Sequence, residues 1–329
     1  MSKSAWPKNL IRPLIALLFI YLLILKGPFQ LQQITFILAQ KKILLLGVFL
    51  VFLQFCLSAF RWKKIVEQKT VLNFKLSFQL TLIGQFFSFF IPGGVSGDVV
   101  KALELSKTSA LSRSDSFSTV LSDRILGLFS MVLFSTVFLA LDYFSSKSES
   151  ILSYFFFSAL LLAAMICGIA LGPKIIQILS GFFSSRQNKI LLAVEKIFSS
   201  FNLTFSSFRQ KKILLITVAI SFAMQIVATY FMSEIVRALD VSMPSFFVFF
   251  ALSCFGFLAS AIPITPAGIG VGQAAFYFLF STVSTDLGNA AVTAVSILQL
   301  FFFLYALIGG VLFATKPFLT KTANQSIAK

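Results

Sequence analysis

Residues 91–107 read IPGGVSGDVVKALELSK. They follow a stretch, residues 76–90, that reads as lipid-facing. The run carries a proline, three glycines, an aspartate, two lysines and a glutamate. Helix interrupted by Pro-Gly-Gly and followed at once by charge cannot simply face hydrocarbon. Backbone broken at membrane depth needs protein or water around it to satisfy its N–H and C=O groups. Such a break therefore lines a cavity, and the reading of this run decides the topology of the chain.

The rest of the sequence supplies the membrane context. Of 329 residues, 58% are hydrophobic and 12% charged, where a soluble domain has about 25% charged residues. Apolar runs fall at residues 11–25, 43–60, 76–91, 117–141, 151–171, 213–233, 246–262 and 291–315. Several approach the roughly 20 residues that cross a hydrocarbon core about 30 Å thick. They are continuous rather than alternating, which indicates helices and not barrel strands. A ninth run, 274–283, is too short to cross. The basic residues 1–12 precede no small-residue cleavage site, so the first run is read as a retained span. Cys56, Cys167 and Cys254 are scattered in apolar runs and make neither a disulfide framework nor a metal site. The chain has no histidine, which removes histidine acid–base chemistry, the usual zinc sites and the Ser-His-Asp triad. The formal charge of +16 fits cytoplasmic loops and anionic headgroups. Nucleic acid is not expected as a partner, because no basic domain lies outside the spans. No G-x-S-x-G, P-loop, H-E-x-x-H or paired-carboxylate arrangement occurs. The chain is read as a non-enzyme without catalytic residues, metal or cofactor.

The basic residues arbitrate the number of crossings. Eight simple crossings from a cytoplasmic N-terminus leave 13 Lys and Arg inside and 14 outside. Six crossings, with residues 76–105 and 246–283 dipping in from opposite sides and returning, leave 22 inside and 5 outside. The second arrangement obeys the positive-inside rule, with Lys26, Lys41 and Lys42 as exceptions. The expected fold is an all-α polytopic membrane protein, a single membrane domain over 1–329, with six crossing helices and two opposed re-entrant hairpins. The alternative is eight simple crossings. Both termini are expected in the cytoplasm.

The two interruptions resemble each other. PGGVSGD starts at Pro92 and PAGIGVGQ at Pro266, and Pro263 precedes the second. The prolines remove a helical donor and disfavour helix just before them. Gly93, Gly94, Gly97, Gly268, Gly270 and Gly272 admit backbone conformations closed to other residues. Each break follows two crossings and precedes one, and the halves start on opposite sides. Inverted halves over 11–141 and 151–315 follow, and interrupted segments in corresponding positions point to a transporter site near the midplane. Between the halves, residues 173–209 place apolar side chains at helical spacing among Ser, Arg, Lys and Gln. They read as an amphipathic connector on the cytoplasmic surface.

Ionisable residues at these depths are functional candidates by default. Asp98, Lys101 and Glu104 are spaced i, i+3, i+6 along roughly one side of the returning helix. Asp98 and Lys101 are assigned to a polar headgroup and Glu104 to a local salt-bridge ladder. Asp123 and Arg124, in SDRILGL, diverge by about 100° around a helix and cannot simply pair with each other. Asp98 is the candidate partner of Arg124 and Lys101 that of Asp123. Both could instead snorkel at the interface. Arg61 and Trp62 end the second run and read as interfacial anchors. Glu234 and Arg237 read as a surface pair.

RW after the second run, PGGVSGD with a base three residues on, DRILGL, and PITPAGIGVGQAA occur in this order. Together they resemble the lysylphosphatidylglycerol synthase transmembrane-region family over nearly the whole chain. The resemblance implies a bacterial cytoplasmic (inner) membrane location and flippase-like movement of a lipid headgroup. Full-length synthases add a soluble aminoacyl-transfer domain; only residues 316–329 follow the last run here, so a stand-alone member is expected. Gln273 stands where the family often has glutamate, which removes the charge but leaves a polar candidate. The expected substrate is a membrane lipid, anionic or lipid-linked, held by Asp98, Lys101, Asp123, Arg124 and Gln273. The alternative is an accessory subunit that docks a glycosyltransferase or lipid-modifying membrane enzyme through the connector.

The charge count predicts that Lys107 and Arg113 face the same side as Lys189. Single cysteines placed at these positions in a cysteine-free protein should react with an impermeant maleimide from one side only. Labelling from opposite sides would exclude both arrangements. A further single cysteine at Lys69 separates them, because six crossings place it on the side of Lys107 and eight crossings on the other.

Overall fold

The structure is a computed structural model and describes residues 31–91, 96–146, 149–183, 211–262 and 264–327. Among these no strand occurs, and ten α-helices follow one another: α1 Leu31–Ala39, α2 Lys41–Val66, α3 Phe74–Phe90, α4 Ser96–Thr108, α5 Arg113–Ser146, α6 Glu149–Phe183, α7 Lys211–Ala238, α8 Phe246–Ser260, α9 Val271–Ser281 and α10 Thr285–Ile327. A 3-10 turn, Pro266–Gly268, lies between α8 and α9.

Five of the helices, α2, α5, α6, α7 and α10, are long and apolar enough to cross a membrane. Helix α2 shows why. It buries Ile43, Leu50, Val51 and Phe55 on one face and exposes Leu45, Phe49 and Phe52 on the other. A helix that is apolar all round belongs in lipid, and 26 residues span about 39 Å at 1.5 Å per residue. The chain is an all-α polytopic membrane protein. These five coincide with five of the expected crossings; the run at 11–25 lies outside the described residues, as does Lys26.

Some boundaries differ from the expected ones. Helix α6 continues through Pro173 to Phe183, so the connector does not begin at 173. The remainder of the connector, 184–209, lies outside the described residues. Helix α2 extends to Val66, past the expected end at 60, and α1 was not foreseen. Gln40, in an extended conformation, joins α1 to α2.

Helices α3 and α4 form one short antiparallel pair, and α8 and α9 form the other. At 17, 13, 15 and 11 residues none reaches about 30 Å, the thickness of the hydrocarbon core. The Asn73 side chain accepts from the Lys75 N–H and opens α3. Ile91 closes it in an extended conformation (φ −101°, ψ 122°), the geometry imposed on a residue that precedes proline. Pro92, Gly93 and Gly94 lie outside the described residues. The Ser96 hydroxyl lies 3.0 Å from the carbonyls of both Phe87 and Ile91. The Phe87 carbonyl already accepts from the Ile91 N–H, so the Ile91 carbonyl is the open acceptor that the hydroxyl can satisfy. Gly97 is helical, and its role is close approach. A Cβ there would stand 2.1 Å from the Gly84 carbonyl oxygen.

The second break is built differently. Pro263 lies outside the described residues; Pro266 opens the 3-10 turn. Ala267, Gly268 and Gly270 have φ of 49°, 72° and 87°. Glycine takes this conformation freely, while alanine does so at a cost of about 1–2 kcal/mol. Gly272 is close-packed against Ser260. Phe276 meets Gly256 and Phe257, and Phe280 meets Phe249.

The packing is reciprocal. Helix α3 lies on α10, where the Leu82 carbonyl abuts Gly309 and Phe87 meets Phe313 at 4.9 Å. Helix α8 lies on α5, where Phe138 and Phe250 stack at 4.4 Å. Helices α2 and α7 run antiparallel. Phe231 and Phe301 close over Gly47, Gln54 donates to the Met224 carbonyl, and Arg61 donates to Ser221. At one end of the bundle Lys69 pairs with Asp115. At the other, Lys42 approaches Glu234 at 3.7 Å and Asp142 bonds Ser245.

The glycine contacts give a graded expectation. A Cβ at Gly97 or Gly309 would stand 2.1 Å from a backbone oxygen, whereas one at Gly168 meets nothing within 4 Å. Gly97→Ala and Gly309→Ala should each destabilise by about 1–3 kcal/mol and lower the thermal midpoint in detergent. Gly168→Ala should leave it unchanged or raise it slightly, because alanine favours helix.

Candidate functional site

The second break meets α3 and α5 inside the bundle. A cavity of about 130 Å³ lies between Gln85 and Ser88 of α3, Arg124 of α5, and Ser260, Thr265 and Gly268 around the second break. It adjoins a charged chamber of about 240 Å³, walled by Arg61, Asp98, Lys101, Asp123 and Arg124 with Gln85. Four of the sequence-derived candidates, Asp98, Lys101, Asp123 and Arg124, therefore share one wall.

Their pairing is specific. Arg124 Nε binds Asp98 Oδ2 at 2.7 Å, as the spacing suggested. Asp123 pairs not with Lys101 but with Arg61, whose Nε lies 2.8 Å from Oδ1. The Arg61 guanidinium also donates to Ser221 Oγ at 3.0 Å. Gly127 makes room for it, since a Cβ there would stand 3.2 Å from Nη1. Arg61 and Trp62 are thus not interfacial anchors. They are 8% and 0% exposed, because α2 runs on past them into the bundle.

Lys101 completes the set. It is 7% exposed, and its Nζ sits 3.9 Å from the centroid of the Trp62 ring, a cation–π contact. It has no ion pair or hydrogen bond among the described residues. Three cations and two carboxylates leave the chamber with one net positive charge, carried by an ammonium that no carboxylate contacts. Such a group is placed to receive an anion.

The remaining candidates lie elsewhere. Glu104 is buried and pairs with Lys107 at 2.8 Å, in the local ladder expected of it. Glu234 and Arg237 pair at 2.7 Å. Gln273 does not line the charged chamber. Its Oε1 accepts from the Gly270 N–H at 2.7 Å, and its Nε2 donates to Gln299 Oε1 at 2.6 Å. It pins the second break to α10. Among the described residues no group of three His, Cys, Asp or Glu side chains is placed to hold a metal ion.

Two further spaces adjoin the charged chamber. One, of about 290 Å³, shares Ser58, Thr81, Gln85 and Gln225 with it. The other is an apolar groove of about 790 Å³ between α6 and the α8–α9 pair, lined by Tyr154, Phe157, Leu161, Phe255 and Phe278. It meets the charged chamber at Leu128 and Ala261. Gln54, Gln85 and Gln225 were missed in the sequence, although isolated polar residues in apolar runs were a usable signal.

The family described as Lysylphosphatidylglycerol synthase TM region matches residues 9–312. No curated protein and no solved structure matches the chain.

The two ion pairs differ in burial, and this separates their roles. Arg61 and Asp123 side chains are each 10% exposed, whereas Arg124 and Asp98 are 43% and 19% exposed. Arg61→Met should strand Asp123 and destabilise the protein by about 3–5 kcal/mol, with Asp123→Leu in the same chain recovering most of the loss. Asp98→Asn should change stability by only about 0–1 kcal/mol. Denaturation of the purified proteins in one detergent checks all three.

Proposed function

The chain belongs to the lysylphosphatidylglycerol synthase TM region family, and from that premise we propose that it is a flippase-like transporter of lipids with an anionic headgroup, not an enzyme. The observation that carries this reading is the free-facing Lys101 ammonium in a chamber that is polar on one side and continuous with an apolar groove on the other. A lipid needs both surfaces at once. The headgroup phosphate would meet Lys101, with Arg124 as a second donor able to grip phosphate oxygens through its planar fork. The acyl chains would stay in the groove along α6, passing Leu128 and Ala261. Asp98 would hold Arg124 in place between passages.

The short helix pairs are proposed as re-entrant hairpins that enter the bilayer from opposite sides. Their tips would form the thin barrier between the two sides. The ion pair between Lys69 and Asp115 supports this, because eight simple crossings would put those residues on opposite faces of the membrane. The antiparallel α2 and α7, and the reciprocal seating of α3 on α10 and of α8 on α5, support inverted halves over 11–141 and 151–315. A location in the bacterial cytoplasmic membrane with both termini inside belongs to the same proposal. So does movement driven by the lipid gradient itself or by an ion gradient.

Reconstitution into liposomes with a fluorescent anionic phospholipid and an impermeant quencher tests the reading. Lys101→Ala and Asp98→Asn should reduce transport to the protein-free rate while the proteins elute and melt like the unaltered chain. Lys101→Arg should retain part of the activity, since Arg also binds phosphate. Gln273→Ala should be mild, because Gln273 lies outside the chamber. Unaltered transport by both Lys101→Ala and Asp98→Asn would overturn the assignment.

A further inference from the structure

Three glutamines on three helices face one space. Gln54 of α2, Gln85 of α3 and Gln225 of α7 line the chamber of about 290 Å³ beside the charged one, together with Ser58 and the rings of Phe55, Phe257 and Phe302. Each glutamine interrupts an otherwise apolar run. Their hydrogen-bonding capacity is largely unused. Gln54 Nε2 donates to the Met224 carbonyl at 2.8 Å, but its Oε1 is buried without a partner, and the residue is 6% exposed. Gln225 Oε1 receives only the Cys254 thiol, at 3.8 Å, and its amide N–H groups have no acceptor among the described residues. Gln85 makes no hydrogen bond among them. Next door, Thr265 Oγ1 is also buried and unpartnered, in the cavity that Gln85 and Ser88 share with the second break.

A buried polar atom without a partner is costly and calls for an occupant. An acyl chain would leave the amides unpaired. An anion finds no charge in this chamber, and a cation would sit against the Arg61, Lys101 and Arg124 wall next door. Amides both donate and accept without carrying charge, and so do the hydroxyls of a sugar. The apolar C–H face of a sugar ring fits phenylalanine rings, and the chamber size is at the lower end for small-molecule sites. This inference rests on the anion site at Lys101. We propose that the amide-lined chamber is a sugar subsite, so that the transported headgroup is a glycosyl phosphate with its phosphate on Lys101 and its sugar among Gln54, Gln85 and Gln225.

The site carries its own reporter. The chain has two tryptophans, Trp6 and Trp62, so Trp6→Phe leaves Trp62, under Lys101, as the sole emitter. Titrations of this full-length protein in micelles should use inorganic phosphate, glycerol phosphate, glucosyl phosphate and an isoprenyl-linked glucosyl phosphate. Glucosyl phosphate should bind at least about tenfold tighter than inorganic phosphate, the gain expected from one or two added hydrogen bonds. Gln54→Leu, or the near-isosteric Gln54→Met should leucine impair folding, should bring that ratio close to unity. The lipid-linked ester should bind tighter than the soluble one, and equal affinity for the two would overturn the lipid source. If inorganic phosphate binds but glucosyl phosphate binds no tighter than glycerol phosphate, the sugar subsite is wrong and the anion site stands. If inorganic phosphate does not bind at all, or binds undiminished to Lys101→Met, the anion site itself is wrong.

Discussion

A peptide group without a hydrogen-bond partner cannot be left in hydrocarbon, and the architecture follows from enforcing that rule at two places where helices stop mid-bundle. At the first, the Ser96 hydroxyl can close the Ile91 carbonyl. At the second, the Gln273 amide closes the Gly270 N–H. The 3-10 turn of the second break packs on α3, beside Gln85 and Ser88. The interior beside them is polar, and Arg61, Lys101 and Arg124 gather there with Asp98 and Asp123.

The two breaks are similar in sequence and unlike in chemistry. All five charged groups of the chamber come from α2, α4 and α5. The second break contributes the Thr265 hydroxyl, backbone at positive φ and small residues that allow close approach. The charged side chains thus stand on one side of the molecule's sequence and the backbone at positive φ on the other. The inverted halves proposed above would not require symmetric function, because a single headgroup would need only one set of charges.

The breaks were legible in the sequence because proline and glycine act locally. The pairing of Asp98 with Arg124 was legible because a polar residue beside a break must turn inward. Arg61 was not. An RW pair at the end of an apolar run reads as an anchor whenever the helix is taken to stop there. Helix α2 instead continues to Val66 and carries Arg61 and Trp62 into the core. That extension depends on contacts with α5 and α7 that no local pattern records. Gln273 failed in the opposite way: its polarity was noticed, but its bonds to Gly270 and Gln299 make it structural. The isolated glutamines at 54, 85 and 225 were visible as polar residues in apolar runs, yet only the fold brings them to one wall.

The seating of α3 against α10 also bears on how the molecule is made. The Leu82 carbonyl closes on Gly309, and most of the chain separates the two. A ribosome delivers the first hairpin long before the helix it rests on. During synthesis α3 must wait without the helix on which Leu82 and Phe87 finally rest. Assembly can finish only when the last helix arrives, so truncation near the C-terminus would be felt first at the opposite end of the sequence.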